Sequence, residues 1–365
     1  MEQKRFNLNS LINRVNEFNK NNNFNQKQNI MKKSILLLAV AASFAACTQN
    51  QEINDAISQQ EIKFDQVLNK TTKAEITNEA ALASEGGFAV FGYKSTADDA
   101  VFDRVKVYRE SGEGANSVWK YDVKRYWDKN ATYRFYAIAP FAPESGSSYS
   151  IDKTTGKFTV TGVKSGLASA SDDFIIDRDG VKNVSGATAN GGNAVTFDFH
   201  HIMAKLSFAV KTNLVGSEIK VQSLTMTGWD AGEGKFVQTK TDGTWSVLDA
   251  SEWTIATAAG SATLIGRGSG NEEEVTLSSV ATELTDKYIM VPQTIAAKTL
   301  TFTVNYTIDG EPFVNQVSAL STAQTWGTDS HTTYTLTIGP AAIEFDVESV
   351  CDFCYAAPEQ TPNVQ

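Results

Sequence analysis

The nine residues LTFTVNYTI set Leu300, Phe302, Val304, Tyr306 and Ile308 on one side of an extended chain and Thr301, Thr303, Asn305 and Thr307 on the other. Side chains alternate across a strand with period two, so one face is buried and the other meets water. Asp309 and Gly310 follow at once and suit the positive φ angles of a tight hairpin. TYTLTI repeats the alternation, with Tyr334, Leu336 and Ile338 inward. Further turn signals fall at Thr155 and Gly156, at Asn190 to Asn193, and at Asp242 and Gly243. Strict alternation, closely spaced turns and almost no helical periodicity predict an all-β chain folded as antiparallel sandwiches.

One segment changes parity without a turn. In VTFDFHHIMAKLSFAV the apolar positions Val195, Phe197 and Phe199 are odd, whereas Ile202, Ala204, Leu206, Phe208 and Val210 are even. The flip at His200 and His201 requires an extra residue, a bulge or bend that carries the chain from one sheet to another. These histidines therefore read as a corner.

The chain beyond Cys47 is long enough for two ordinary domains of about 100 to 200 residues each. NLVGS at Asn213 to Ser217 interrupts the pattern, which predicts an N-terminal sandwich over 74–212 and a C-terminal sandwich over 213–350, followed by a tail at 351–365. Residues 47–73 are polar and mixed, with one strand-like piece, EIKFDQVL, in which Ile62 and Phe64 alternate with charges.

The stretch MKKSILLLAVAASFAACTQN divides as a secretory signal over 31–46: two lysines, an apolar run from Ile35 to Ala46, then Cys47. The run is shorter than the roughly 20 residues that span a bilayer. Ala45 and Ala46 before Cys47 resemble the lipobox of bacterial lipoproteins, in which the cysteine is acylated, although Phe44 stands where leucine is usual. A plain cleaved signal is the alternative. Residues 1–30 are rich in Asn, Lys, Phe and Ile, as upstream DNA read in frame would be, so Met31 is the expected start and the extension non-native or disordered.

Charge narrows the function. The chain is formally −10; residues 1–46 hold seven basic and two acidic side chains, so the exported part carries −15. That argues against nucleic acid, whose phosphates need a basic face. His200, His201 and His331 are the only histidines, and they form no evident triad with a nucleophile, so no catalysis is expected. CDFC at Cys351 to Cys354 gives two of the four ligands of a structural zinc, leaving a local disulfide, free thiols or a contact with another chain. No metal or cofactor is expected. SDDFIIDRDG overlaps a calcium-loop fragment at Asp177, Asp179 and Gly180 but has Thr188 where glutamate is required, and reads as a solvated loop. GRGSGN at Gly266 to Asn271 reads as a hairpin tip. The band WKYDVKRYW, with Trp119, Tyr121, Tyr126 and Trp127, is either sandwich core or a sugar-stacking platform.

FAVFGY from Phe88, the Trp119 to Trp127 band, YRFYAIAP from Tyr133, FDFHHIMAKLSFAV, YIMVPQ from Tyr288 and the closing W…YTLTI…IEF from Trp326 to Phe345 occur in the order seen in fimbrillins of Bacteroidales, the pilin subunits of type V pili. The chain resembles that family over nearly all of its exported length. The resemblance implies two tandem transthyretin-like sandwiches, export as an outer-membrane lipoprotein lipidated at Cys47, and assembly into an extracellular fimbrium that supports adhesion or biofilm. It implies a trypsin-like protease cutting between Lys73 and Ala74, with Lys70 the lesser candidate, and partners that are other pilin subunits and host or bacterial surface ligands. The C-terminus departs from the family, which often ends near a tryptophan.

Under this resemblance EIKFDQVL is a removable strand whose Ile62, Phe64 and Val67 or Leu68 fill a groove in the first sandwich, worth very roughly 5 to 9 kcal/mol. The candidate donor that replaces it is IEFDVESV, with Ile343, Phe345 and Val347 alternating with acids; the same alternation fits a plain last strand of the second sandwich. A surface-anchored glycan-binding lipoprotein, with Trp119 and Trp127 as platform, is the other function in view.

Overall fold

The computed structural model describes residues 60–67, 78–94, 100–113, 116–143, 146–177, 182–239, 251–266, 274–339 and 343–351. Residues 1–46, Cys47, Leu68, Lys70, the Lys73–Ala74 pair, Asp242 and Gly243, most of GRGSGN, and Cys354 lie outside the described residues. Among the described residues no helix is long and apolar enough to cross a membrane.

The fold is all-β, with sheets packed face to face, and among the described residues the strands form five sheets. The first runs Phe64–Val67, Val195–His201, Ile175–Asp177, Thr132–Ala139, Phe88–Lys94, Ala100–Ser111 and Val118–Lys120, with Lys182–Ser185 beside Thr132–Ala139. Its middle is covered on both faces, and Phe88–Lys94 accordingly reads as a continuous apolar run, buried up to its last residue. One face carries Ala89, Phe91, Tyr136, Ile138 and Ile176 against Phe158, Val160, Phe236 and Trp253. The other carries an aromatic cluster. Gly92 makes that cluster possible, because a Cβ there would stand 2.8 Å from the ring of Phe135 and 2.9 Å from that of Phe102.

The second sandwich packs the sheet of Ile343–Cys351, Ser330–Ile338, Ala204–Thr212, Tyr288–Met290 and Gly166–Leu167 on the sheet of Ala259–Ile265, Ile219–Asp230, Thr301–Ile308 and Glu311–Ala319. Leu300, Phe302, Val304 and Tyr306 face that core, as the alternation requires. Asp309 and Gly310 have φ of 49° and 88°, the two positive angles of a tight hairpin turn.

Sheet membership does not follow chain order. Ala204–Thr212, which precedes the expected division at Asn213 to Ser217, pairs in parallel with Ser330–Ile338, which follows it. Gly234–Val237 pairs with Phe158–Val163, again across that point. The NLVGS segment is therefore a loop between strands of one sandwich, and the small sheet of Trp253–Ile255, Gly234–Val237, Phe158–Val163 and Ser148–Ile151 holds strands from both sides of it.

The parity flip is a corner. Val195–His201 ends in the first sheet, Ile202 and Met203 are wholly buried, and Ala204–Thr212 begins in the second. The Ile202 amide donates to the Phe174 carbonyl (3.0 Å) and the Trp253 indole N–H donates to the Ile202 carbonyl (2.9 Å), so both backbone groups at the bend are satisfied.

Candidate functional site

The segment Gln60 to Val67 lies at the margin of the first sheet, and its side chains complete the aromatic cluster. Phe64–Val67 pairs in parallel with Val195–His201, Phe64 opposite Val195 and Asp65 opposite Thr196. On its other side the chain meets residues 125–127. The Ile62 amide donates to the Arg125 carbonyl (2.8 Å), and the Trp127 amide donates to the Gln60 carbonyl (3.0 Å). The Val195 amide donates to the Lys63 carbonyl (2.7 Å). The strand Phe64–Val67 and the residues before it thus fill a slot between two parts of the first sandwich.

Ile62 is 0% exposed and Phe64 4%. The Phe64 ring lies edge-on to Phe102 (4.9 Å between centroids) and Phe135 (5.5 Å), tilted against Tyr121 (5.7 Å) and stacked on Phe197 (5.8 Å). Edge-to-face packing of this kind adds about 0.5 to 1.5 kcal/mol per pair beyond area burial. Lys63 and Asp65 point to solvent. Val67 belongs to the strand by its backbone.

Tyr121 connects this slot to its neighbours. Its hydroxyl donates to the Ile62 carbonyl (2.6 Å) and accepts from the Arg125 amide (3.2 Å). Burial pushes its pKa up to about 12, with the Arg125 backbone contact opposing that rise. The phenol is neutral when protonated, so the folded state favours the proton. The stability tied to it is complete below the ordinary value of 10.0 and is lost as pH climbs towards about 12. Tyr121→Phe is expected to weaken leader docking by about 1 kcal/mol, the worth of one neutral hydrogen bond. Amide exchange at Ile62 and Lys63 would report it, and the variant should lose part of the alkaline loosening between pH 10 and 12.

Lys124 pairs with Glu61 (2.9 Å), and the Glu61 carboxylate, as hydrogen-bond acceptor, holds the Lys124 ammonium above its usual value. The Lys124 side chain is 63% exposed, so water screens the pair and its worth to stability is small.

The terminal strand Ile343–Cys351 is the outermost strand of its sheet and pairs antiparallel with Ser330–Ile338, Ile343 opposite Ile338 and Phe345 opposite Leu336. Ile343 and Phe345 are half-buried, Phe345 stacking on Phe302 at 4.3 Å, while Val347 is 39% exposed. The candidate donor thus lies on its own sandwich, with one strand neighbour among the described residues.

Burial decides between the two readings of the aromatic band and corrects that of the acidic segment. Trp119 and Trp127 are core, at 7% and 2% exposure; the Trp119 indole N–H donates to Glu79 (3.1 Å) and the Trp127 ring lies edge-on to Tyr133 (5.0 Å). Tyr121 is buried with them and, of the four aromatic residues of the band, only Tyr126 is exposed, so the two tryptophans offer no stacking platform for a sugar. The described part of SDDFIIDRDG, residues 171–177, is not a solvated loop. Asp172, Asp173 and Asp177 are buried, and Ile175–Asp177 is a strand. Each acid has a partner that sequence distance hid: Ser147 donates to Asp172, His201 lies 2.8 Å from Asp173, and the Asp198 amide donates to Asp177 (2.9 Å).

His200 stands 3.2 Å from Asp329 and 3.4 Å from Asp198. His331 lies in the strand Ser330–Ile338, 2.7 Å from the Ser207 hydroxyl. Ser207 is 0% exposed, so no substrate reaches it. Among the described residues no three His, Cys, Asp or Glu side chains form a metal cluster.

The family model described as fimbrillin-like matches residues 72–350. The chain belongs to the fimbrillin-like family. The match begins after the strand Phe64–Val67, so the core of this fimbrillin-like protein is completed by residues upstream of the matched region. A crystal structure of a fimbrial protein from Bacteroides vulgatus shares the fold, at 20% identity and a TM-score of 0.57 over 80% of this chain and 98% of that one. A candidate cell adhesion protein from Bacteroides uniformis is similar at 16% identity and a TM-score of 0.44 over 80% of this chain and 98% of that one. No protein of curated function matches the chain.

Proposed function

We propose that this fimbrillin-like chain is a structural subunit of a cell-surface fimbria, exported as a lipoprotein through Cys47, cut after Lys73 by a trypsin-like protease, and polymerised when its emptied groove takes a strand from another subunit. The observation that carries the reading is the position of Ile62 and Phe64. Both lie before Lys73 in the chain, yet both sit in the aromatic core of the first sandwich. Fully burying two such side chains is worth about 3 to 6 kcal/mol. Cutting at Lys73 turns that covalently assured filling into one that can leave. Its departure would uncover the outer edge of Val195–His201 and the rings of Phe102, Phe135 and Phe197. An unpaired edge over an apolar slot is unstable in water and recruits a replacement strand. Assembly then needs no energy source outside the cell.

Adhesion or biofilm support and the outer-membrane and extracellular location follow from the same reading. The glycan-binding alternative loses its platform because both tryptophans are core. Replacing Lys70 and Lys73 by alanine is expected to preserve the fold, block removal of residues 47–73 by trypsin, and abolish the ladder of oligomers on a gel. Filaments formed by the uncut double variant would refute cleavage control.

A further inference from the structure

Two exposed cations converge on one aromatic ring at the rim of the first sandwich. The Arg104 guanidinium carbon lies 4.9 Å from the centre of the Phe141 ring and 5.1 Å from that of Tyr149, and the Lys106 ammonium lies 5.6 Å from the Phe141 centre. Among the described residues neither cation has a carboxylate partner, although acids outnumber bases in the chain. We propose that Arg104 and Lys106 form a binding site for the carboxylate of an acidic sugar, such as a uronic acid residue of a surface glycan. The inference rests on the proposed function for the surface setting of its ligand, and not on strand exchange.

The backbone is bent to place Arg104. Strict alternation would set Phe102, Arg104 and Lys106 on one side of their strand, yet Phe102 packs in the aromatic cluster on the opposite face. A bulge intervenes: Val90 stands opposite Val105 and Gly92 opposite Phe102, so Asp103 and Arg104 together face Phe91. Arg104 takes a φ of 52° there, a sparsely populated conformation for a residue with a side chain, and such residues cluster at ligand clamps. Its Nε donates to the Tyr149 hydroxyl (3.3 Å) and its Nη2 to the Phe141 carbonyl (2.9 Å), which also accepts from the Tyr149 hydroxyl (2.7 Å). The Phe141 amide donates to the Gly87 carbonyl (3.1 Å), which ties the ring to the turn at Gly86 and Gly87. Lys106 lies beside that turn, its ammonium 3.6 Å from where a Cβ on Gly86 would stand. Three chain segments thus hold the two cations in place.

Charge and stiffness select the ligand. The planar guanidinium fork matches a carboxylate, and the ammonium over the same ring adds its field at short range. Burial pushes the Tyr149 phenol up, with the Arg104 hydrogen bond opposing, so the phenol keeps its proton at neutral pH and its bond to the Phe141 carbonyl. A dense polyanion is held off by the net negative charge of the chain, whereas one carboxylate on a neutral body is not. A carboxylate attached directly to a sugar ring has few rotors to freeze and suits cations that are already fixed; the stem of a glutamate or aspartate loses more freedom on binding. Phe141 and Tyr149 are half-buried and offer apolar surface to the C–H face of the sugar.

Methyl glucuronide, its neutral methyl ester and an end-blocked glutamate peptide test the site on the full chain, with the amides of Gly87, Lys106 and Phe141 followed by nuclear magnetic resonance. The glucuronide is expected to shift these amides saturably and to bind at least about tenfold more tightly than the ester, as one hydrogen bond to a charged group dictates. Its affinity should fall as salt is raised. Arg104→Gln should abolish the shifts. Because Arg104 also braces Phe141 and Tyr149, Lys106→Gln supplies a variant that removes no such brace, and it should weaken binding about tenfold. Equal binding of acid and ester, absence of shifts, or full binding by Lys106→Gln overturns the inference. Tighter binding by the glutamate peptide overturns the assignment to a sugar. Lys106→Gln should still be cut by trypsin and give the same ladder of oligomers as the natural chain, whereas a natural chain that binds glucuronide but forms no ladder would overturn the exchange and leave this site standing.

Discussion

Phe64→Ala is expected to destabilise the uncut chain by about 3 to 5 kcal/mol, the range for truncating a fully packed phenylalanine. The effect lies at the upper end because the ring touches four other aromatic rings and its removal leaves a hole that their edges cannot close. Denaturant unfolding followed by the fluorescence of the buried Trp119 and Trp127 would measure it. The trypsin-cut form supplies the control, since it lacks residue 64 and should behave as the cut natural chain does. A loss below about 1 kcal/mol would mean that the first sandwich does not depend on its leader.

Asp173→Ala should cost about 2 to 3 kcal/mol, the worth of a buried hydrogen bond with an ionisable partner. The carboxylate and the His201 ring it faces are 5% and 6% exposed, so water cannot replace the lost partner. The pair pins Phe174 and His201 immediately beside the bend at Ile202 and Met203. Asp173→Asn, which keeps an oxygen near the ring, should lose less than half as much. Thermal unfolding of both variants in the uncut chain measures the difference; equal losses would show that the position matters for volume and not for its hydrogen bond.

Local rules explain which parts of this architecture could be read in advance. Alternation in LTFTVNYTI and the turn at Asp309 and Gly310 depend on neighbours within a few residues, and both appear as expected. The corner was legible for the same reason, since a change of parity is a local fact with a global cause. The alternation in EIKFDQVL likewise set Ile62 and Phe64 on one side of an extended chain, and both are buried. What stayed hidden depends on residues far apart. Nothing in Phe158–Val163 announces Gly234–Val237 as its neighbour, because β pairing follows from topology rather than from composition. SDDFIIDRDG looks solvated because carboxylates usually are, and only Ser147, His201 and Asp198, brought in by the fold, make its burial affordable. The aromatic band was ambiguous because a stacking platform and a core share a composition; exposure alone separates them.

The corner has a mechanical meaning. Val195–His201, the strand against which the leader lies, continues within two residues into Ala204–Thr212, which is bonded to Ser330–Ile338 and through it to the terminal strand. In the proposed fibre of exchanged strands, tension applied at one end would enter a subunit along the first of these strands and leave along the last. It crosses the bend through covalent backbone and passes between strands as shear over whole ladders, where many hydrogen bonds must fail together. The side-chain interface between the sandwiches would carry little of that load.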